Sequence, residues 1–201
     1  NPAGGFLTMF PADAARPLVA SSNVQPGQIM NAPFTVGLST SGAFRIYPQN
    51  QTDLVVDVLG YYSEEATDNN GAGLLFYPLA SPVRLLETRP GEPGCNAPAA
   101  TLAVGTTRTQ AARGICGNQV IPANGLGIIG NATVVFPATG GYLTFWPGNA
   151  TQPTVATSNF VTNSIFNRHF TVGLSGTDGT FKIFTSATTH LVVDMSGYFA
   201  P

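Results

Sequence analysis

Residues 5–62 return at 141–199 with a single one-residue gap, so this chain has to encode one local fold twice. GGFLTMFPADAARPLVASSN at 4–23 is answered by GGYLTFWPGNATQPTVATSN at 140–159, and DLVVDVLGYY at 53–62 by HLVVDMSGYF at 190–199. FTVGLS at 34–39 recurs unchanged at 170–175. With Gly5–Ser39 set on Gly141–Ser175 and Gly42–Tyr62 on Gly179–Phe199, 28 of 56 positions are identical. Self-similarity on this scale marks structural units and is read before any site.

The copies are unequal. Residues 74–140 precede the second copy and have no counterpart ahead of the first. They include GLGIIGNATVVF at 125–136, the apolar, β-branched run of a buried strand. The first unit is therefore expected to be a truncated sandwich with an apolar groove and unpaired backbone edges. The middle of this chain or a neighbouring molecule should fill that groove.

Short strand-like runs alternate with turn signals throughout, which predicts an all-β protein of two tandem β-sandwich units, Ig-like or jelly-roll-like. In the first copy the runs are Gly5–Phe10, Val19–Asn23, Phe34–Leu38, Ala43–Tyr47 and Asp53–Tyr61. In the second they are Gly141–Trp146, Val155–Phe160, Phe170–Leu174, Thr180–Phe184 and His190–Phe199. Between the copies, 74–90 should add one or two strands, and 106–112 and 125–136 further ones. The polar, acidic SEEATDNNGAG at 63–73 reads as a connection. The expected organisation is a truncated unit over 1–63, a linker over 64–73 and a complete unit over 74–201.

Charged residues make up 9% of the chain, against about 25% in an average soluble protein. With a single lysine, Lys182, and a net charge of -2, there is no electrostatic case for nucleic acid or an anionic membrane. No apolar run reaches the roughly 20 residues that cross a bilayer, which predicts no membrane insertion. The chain starts without the charged and apolar regions of a signal peptide, so any secretion signal is expected to be removed or to lie upstream. A neutral surface rich in Thr, Ser, Asn, Gly and Pro fits secreted and cell-surface β proteins.

Cys95 and Cys116, the only cysteines, flank a loop-rich stretch and read as a disulfide of an oxidising compartment, the alternative being two buried thiols. Asp57 and Asp194 interrupt apolar strands at matched positions, where an unpaired carboxylate is costly. Arg84, Glu87 and Arg89 could form a substrate clamp, but they are better read as structural ion pairs in which an arginine caps such an aspartate. Strand alternation puts Arg84 and Arg89 on opposite faces, with Glu87 on the face of Arg89. There are two aspartates and one RLLETR motif, so one copy has to borrow its partner from elsewhere.

No catalytic or metal constellation emerges. His169 and His190 lack further ligands at metal spacing, DNNG at 68–71 lacks the acidic residues of a Ca loop, and there is no nucleophile elbow or P-loop. No cofactor is expected. Lys182 is the only lysine for an isopeptide cross-link and is not read as one. Asn50, Asn131 and Asn149 stand in N-x-T sequons, which permit glycan attachment where the host has the machinery. Tyr47, Tyr61, Tyr62, Tyr77, Tyr142, Trp146 and Tyr198 could stack on sugars, although packing accounts for most of them more simply.

The strings PVRLLETRPGEPGC at 82–95, TTRTQAARGIC at 106–116, IPANGLGIIGNATVVFPATGGYLTFWP at 121–147 and THLVVDMSGYF at 189–199 resemble a unit found in tandem in large secreted or surface proteins of environmental bacteria. That unit reads P-x-R-L-[LV]-D-T-R, then N-x-T-V-x-x-P, G-[YF]-[LV]-T-[LVF]-[YFW]-P and H-[LV]-[IV]-[VA]-D-[VL]-x-G-[YW]-[FY]. The match spans 74–200 in full and 1–63 in part, and Glu87 stands where the unit carries Asp. The resemblance implies an extracellular repeat module of bacterial origin, with no activity attached.

The expectation is therefore a non-enzymatic structural protein of the bacterial cell surface. It would be a subunit of a filament or sheath assembled head to tail with itself, a strand-rich segment of one subunit completing the N-terminal unit of the next. The alternative is a cell-surface adhesion or carbohydrate-binding module, with surface glycans as partners.

Overall fold

The computed structural model describes residues 3–63 and 73–201; the expected linker lies, apart from Gly73, outside the described residues. Every regular element described is a β-strand. The chain divides into two compact units, Asn1–Asp57 and Val58–Pro201, so the boundary falls inside the expected strand at 53–61 and not at 63.

The first unit holds β1 (Gly5–Pro11), β2 (Ser22–Val24) and β3 (Phe44–Pro48) in one antiparallel sheet of order β2-β1-β3. Pro11 ends β1, having no N–H for the ladder. Leu7, Phe10 and Thr8 are its buried strand side chains.

The second unit holds β4 (Leu75–Glu87), β5 (Thr107–Ala111), β6 (Gly114–Cys116), β7 (Gln119–Ile121), β8 (Gly127–Val135), β9 (Gly141–Pro147), β10 (Ser158–Phe160), β11 (Ile165–Gly173), β12 (Thr180–Thr185) and β13 (His190–Ala200). They form two four-stranded sheets, β10-β9-β12-β5 and β11-β8-β13-β4, with a β6-β7 hairpin beside them. Period-two alternation turns Leu143, Phe145, Phe181 and Ile183 of one sheet toward Ile128, Val134, Leu191, Val193 and Met195 of the other, which together form one buried cluster. Phe145 meets Phe170 edge-on across the gap, with ring centroids 5.0 Å apart.

The pairing of the first unit is reproduced in half of the second, at an offset of 136 residues before the one-residue gap and 137 after it. Leu7 faces Ser22 as Leu143 faces Ser158, and Phe10 faces Arg45 as Trp146 faces Lys182. Thr8 Oγ1 donates to the Val19 carbonyl at 2.6 Å, and Thr144 Oγ1 donates to Val155 at 2.7 Å. The Met9 N–H donates to Ser21 Oγ, as the Phe145 N–H does to Thr157 Oγ1.

The other sheet has no equivalent in the first unit. The expected strands Phe34–Leu38 and Asp53–Tyr61 are not formed, and among the described residues the N-terminal unit is a single sheet without a second layer. Their counterparts β11 and β13 explain why: among the described residues β11 pairs only with β8, and β13 lies between β8 and β4. Residues 1–201 contain one β8 and one β4, both used in the second unit. A strand without a neighbour has no ladder to join, so its backbone groups stay with water.

Candidate functional site

A cluster of charged side chains sits on the outer face of β11-β8-β13-β4, where β4 meets β13. Regular alternation would place Arg84 opposite Glu87. Instead, Val193 is opposite Leu86 and the next residue, Asp194, is opposite Arg84, so β4 carries one extra residue, Leu85. This bulge reverses the parity of the strand and brings Arg84 to the face of Glu87 and Asp194. Leu85 and Leu86 are both buried, which anchors the bulge in the core.

Arg84 then bridges two acids. Its Nε donates to Asp194 Oδ1 at 2.9 Å, and its NH1 donates to Glu87 Oε2 at 3.2 Å. Arg89 grips the same glutamate through Nε at 3.0 Å and NH2 at 2.8 Å, and its backbone N–H donates to Oε1 at 2.9 Å. The Glu87 side chain is fully buried, whereas the arginines and Asp194 keep about a third of theirs exposed. Burial pushes the Glu87 carboxyl up, but the hydrogen bonds from Arg89 and the charges of both arginines outweigh it and hold the group below its ordinary value. The hydrogen bond to Asp194 holds Arg84 above its ordinary value, and that to Glu87 does the same for Arg89.

A disulfide-held arm closes this edge. Cys95 is bonded to Cys116, with Cα atoms 5.4 Å apart. The arm hydrogen-bonds along β4: Cys95 N–H to the Arg84 carbonyl, Asn96 N–H to that of Leu85, and Glu87 N–H to that of Asn96. Gly94 passes so near Glu87 that a Cβ there would stand 2.9 Å from the Glu87 Cβ. Only a glycine lets the arm cover the carboxylate. Next to it, His190 Nδ1 donates to the Thr88 carbonyl at 3.0 Å, and Thr88 Oγ1 accepts from the Leu191 N–H at 2.7 Å.

Chemically the cluster is a neutral lock: two guanidinium groups matched by two carboxylates, with no nucleophile or spare base among them. A shallow cup of about 220 Å³ borders it, lined by Arg84, Arg89, Val135, Phe136, Ile165 and His190. Among the described residues no three His, Cys, Asp or Glu converge as a metal site, and His169 is exposed on β11. Trp146 is buried with Nε1 donating to the Ala150 carbonyl, while Tyr77 and Tyr198 stack on each other at 5.1 Å. Asn149 is exposed in the turn after β9, Asn50 is exposed and donates to the Gly4 carbonyl, and Asn131 lies half-buried in the central strand β8.

In the first copy the matched region is open. Asp57, the counterpart of Asp194, is exposed outside any strand, and no arginine pairs with it among the described residues. That is a correction to the expected capped carboxylate: the strand that carries the arginine exists once. Leu54, Val55, Val56 and Val58 are 43, 89, 41 and 82% exposed, whereas their counterparts Leu191, Val192, Val193 and Met195 are at most 3% exposed. Leu38 is 55% exposed where Leu174 is buried at 6%. Sequence reasoning located this asymmetry but missed the bulge at Leu85, whose only trace is the doubled leucine. No protein-family model, curated protein or solved structure matches this chain.

Proposed function

We propose that this chain is an extracellular, non-enzymatic structural module whose N-terminal unit is completed by β-strand complementation from another polypeptide segment, as in a cell-surface filament or sheath. The observation that carries the reading is the exposure of the apolar residues of 54–58, whose counterparts Leu191, Val192, Val193 and Met195 are buried in the second unit. At about 2 kcal/mol for each large apolar side chain taken from water, covering that run is worth several kcal/mol. Its backbone offers an unpaired ladder as well, so main-chain bonds and apolar pockets act together. The Cys95–Cys116 bond supports an oxidising compartment, and the balanced charges of the polar lock support a structural role for it.

Stoichiometry restricts the donor. If residues 74–135 of one copy entered the first unit of another, they would leave β11 and β13 of their own unit bare. The exchange would move the vacancy without filling it. A head-to-tail assembly therefore needs a donor segment other than 74–135 of a like chain.

The test is to titrate the chain with a peptide of residues 125–136. Saturable binding, with slowed amide exchange at 34–38 and 53–61, is the expected result. A chain that ignores the peptide while remaining a compact monomer at every concentration overturns the reading.

A further inference from the structure

The second unit serves as an internal template for what the first unit lacks. Asp194 is held by an arginine of β4, the strand hydrogen-bonded to the free side of β13. Asp57 occupies the same place in LVVD, and nothing in residues 1–201 offers it a second β4. A single inserted strand like β8 would pair 34–38 with 53–57 and cover the apolar run, but it would lie on the opposite side of 53–61 from β4 and leave the carboxylate uncapped.

We infer that the occupant of the first unit is a two-strand polypeptide segment, consisting of an apolar, β-branched strand of the GIIGNATVV type and an arginine-bearing edge strand of the PVRLLETR type, whose arginine forms an ion pair with Asp57. This rests on the complementation reading and adds the chemistry of the partner. Two features point to it. The first is charge complementarity: Asp57 is the unmatched half of a pair seen complete at Arg84 and Asp194, where Nε–Oδ1 is 2.9 Å and NH2–Oδ2 is 3.4 Å. The second is geometry, because the observed strand order requires insertion at two places: between the counterparts of β11 and β13, and outside that of β13. A sugar, a nucleic acid or an isolated apolar strand supplies neither the doubled ladder nor the guanidinium.

The recognition is also selective. An edge strand carrying an acid or an apolar residue at the arginine position would either repel Asp57 or leave it desolvated and unpaired. The Asp57 site thus selects among otherwise similar β-strands, which the apolar face alone cannot do.

The experiment uses the full chain with a second copy of residues 74–135 placed ahead of Asn1, so that ATVV runs directly into NPAGG. Amide exchange at Leu54–Val58 should slow by about 100-fold or more on this addition. Asp57→Asn should then lose about tenfold of that protection, Arg84→Met in the added copy alone should lose as much, and the double variant should lose no more than either. Asp57→Asn in the chain without the addition should change nothing. Protection that appears but is indifferent to both substitutions, or to which they contribute additively, overturns the arginine pairing and leaves complementation standing. Absence of protection overturns both. Protection at 54–58 in the unextended chain, appearing with self-association, shows that a second copy covers the face and also overturns the inference.

Discussion

The two copies contain nearly the same strand sequences, yet LVVDM at 191–195 is at the centre of a sandwich and LVVDV at 54–58 is in water. Local sequence does not separate them. β1, β2 and β3 form in the first copy because all three partners lie within residues 5–48. The sheet corresponding to β11-β8-β13-β4 fails there because its members depend on two strands, 75–87 and 127–135, that are already used in the second unit. Strand propensity is a readiness to pair, and it is realised only where a neighbour with the right edge and face is available.

Matched substitutions probe this difference most directly. Leu191→Ala should cost about 3–5 kcal/mol because it empties a packed site, whereas Leu54→Ala should stay within about 0.5 kcal/mol. Thermal unfolding of the two variants measures both, and equal effects would mean that 53–61 is packed in solution.

Releasing the arm over β4 should make the second unit resemble the first at that edge. Replacing Cys95 and Cys116 by serine opens a loop of 21 residues in sequence separation and should cost about 3 kcal/mol. Amide exchange should accelerate first at Glu87, Cys95 and Asn96, whose N–H groups make the bonds between β4 and the arm. Non-reducing mass spectrometry of the parent chain should find no free thiol.

The paired aspartates give a smaller contrast. Asp194→Ala should destabilise by about 2 kcal/mol, below the cost of breaking a fully buried pair, because Arg84 remains a third exposed and keeps Glu87. Asp57→Ala should be neutral in the isolated chain. A loss at Asp57 comparable to that at Asp194 would show that an arginine already reaches it.

The smallest effect is in acid. The folded Glu87 carboxyl lies below its ordinary value, so its contribution to stability is complete above the ordinary carboxylate range and is lost as pH falls through the lowered folded value. Melting of the second unit should therefore decline below about pH 4 and be flat above it, and Glu87→Gln should remove much of that slope.

Several features of the candidate site were legible in the chain, and the reasons differ. The cysteine pair could be read because two cysteines have one possible partner each. The asymmetry of the copies could be read because a missing run of residues is visible by alignment. The Arg84–Glu87–Asp194 bridge could be anticipated in kind but not in geometry, since strict alternation puts Arg84 on the wrong face and only the bulge corrects it. The covering role of Gly94 left no signal of its own, because a glycine directly after a proline, in PGEPGC, reads as a turn.

By itself the sequence determined which segments can be strands, which face of each is apolar, and that the second copy has partners the first lacks, because side-chain period and turn chemistry are local properties. The tertiary structure decided which of those strands exist. The ladder bonds of β11 and β13 and the burial of their apolar faces are supplied by β8 and β4, residues distant in sequence, and a strand becomes stable only when both are supplied together.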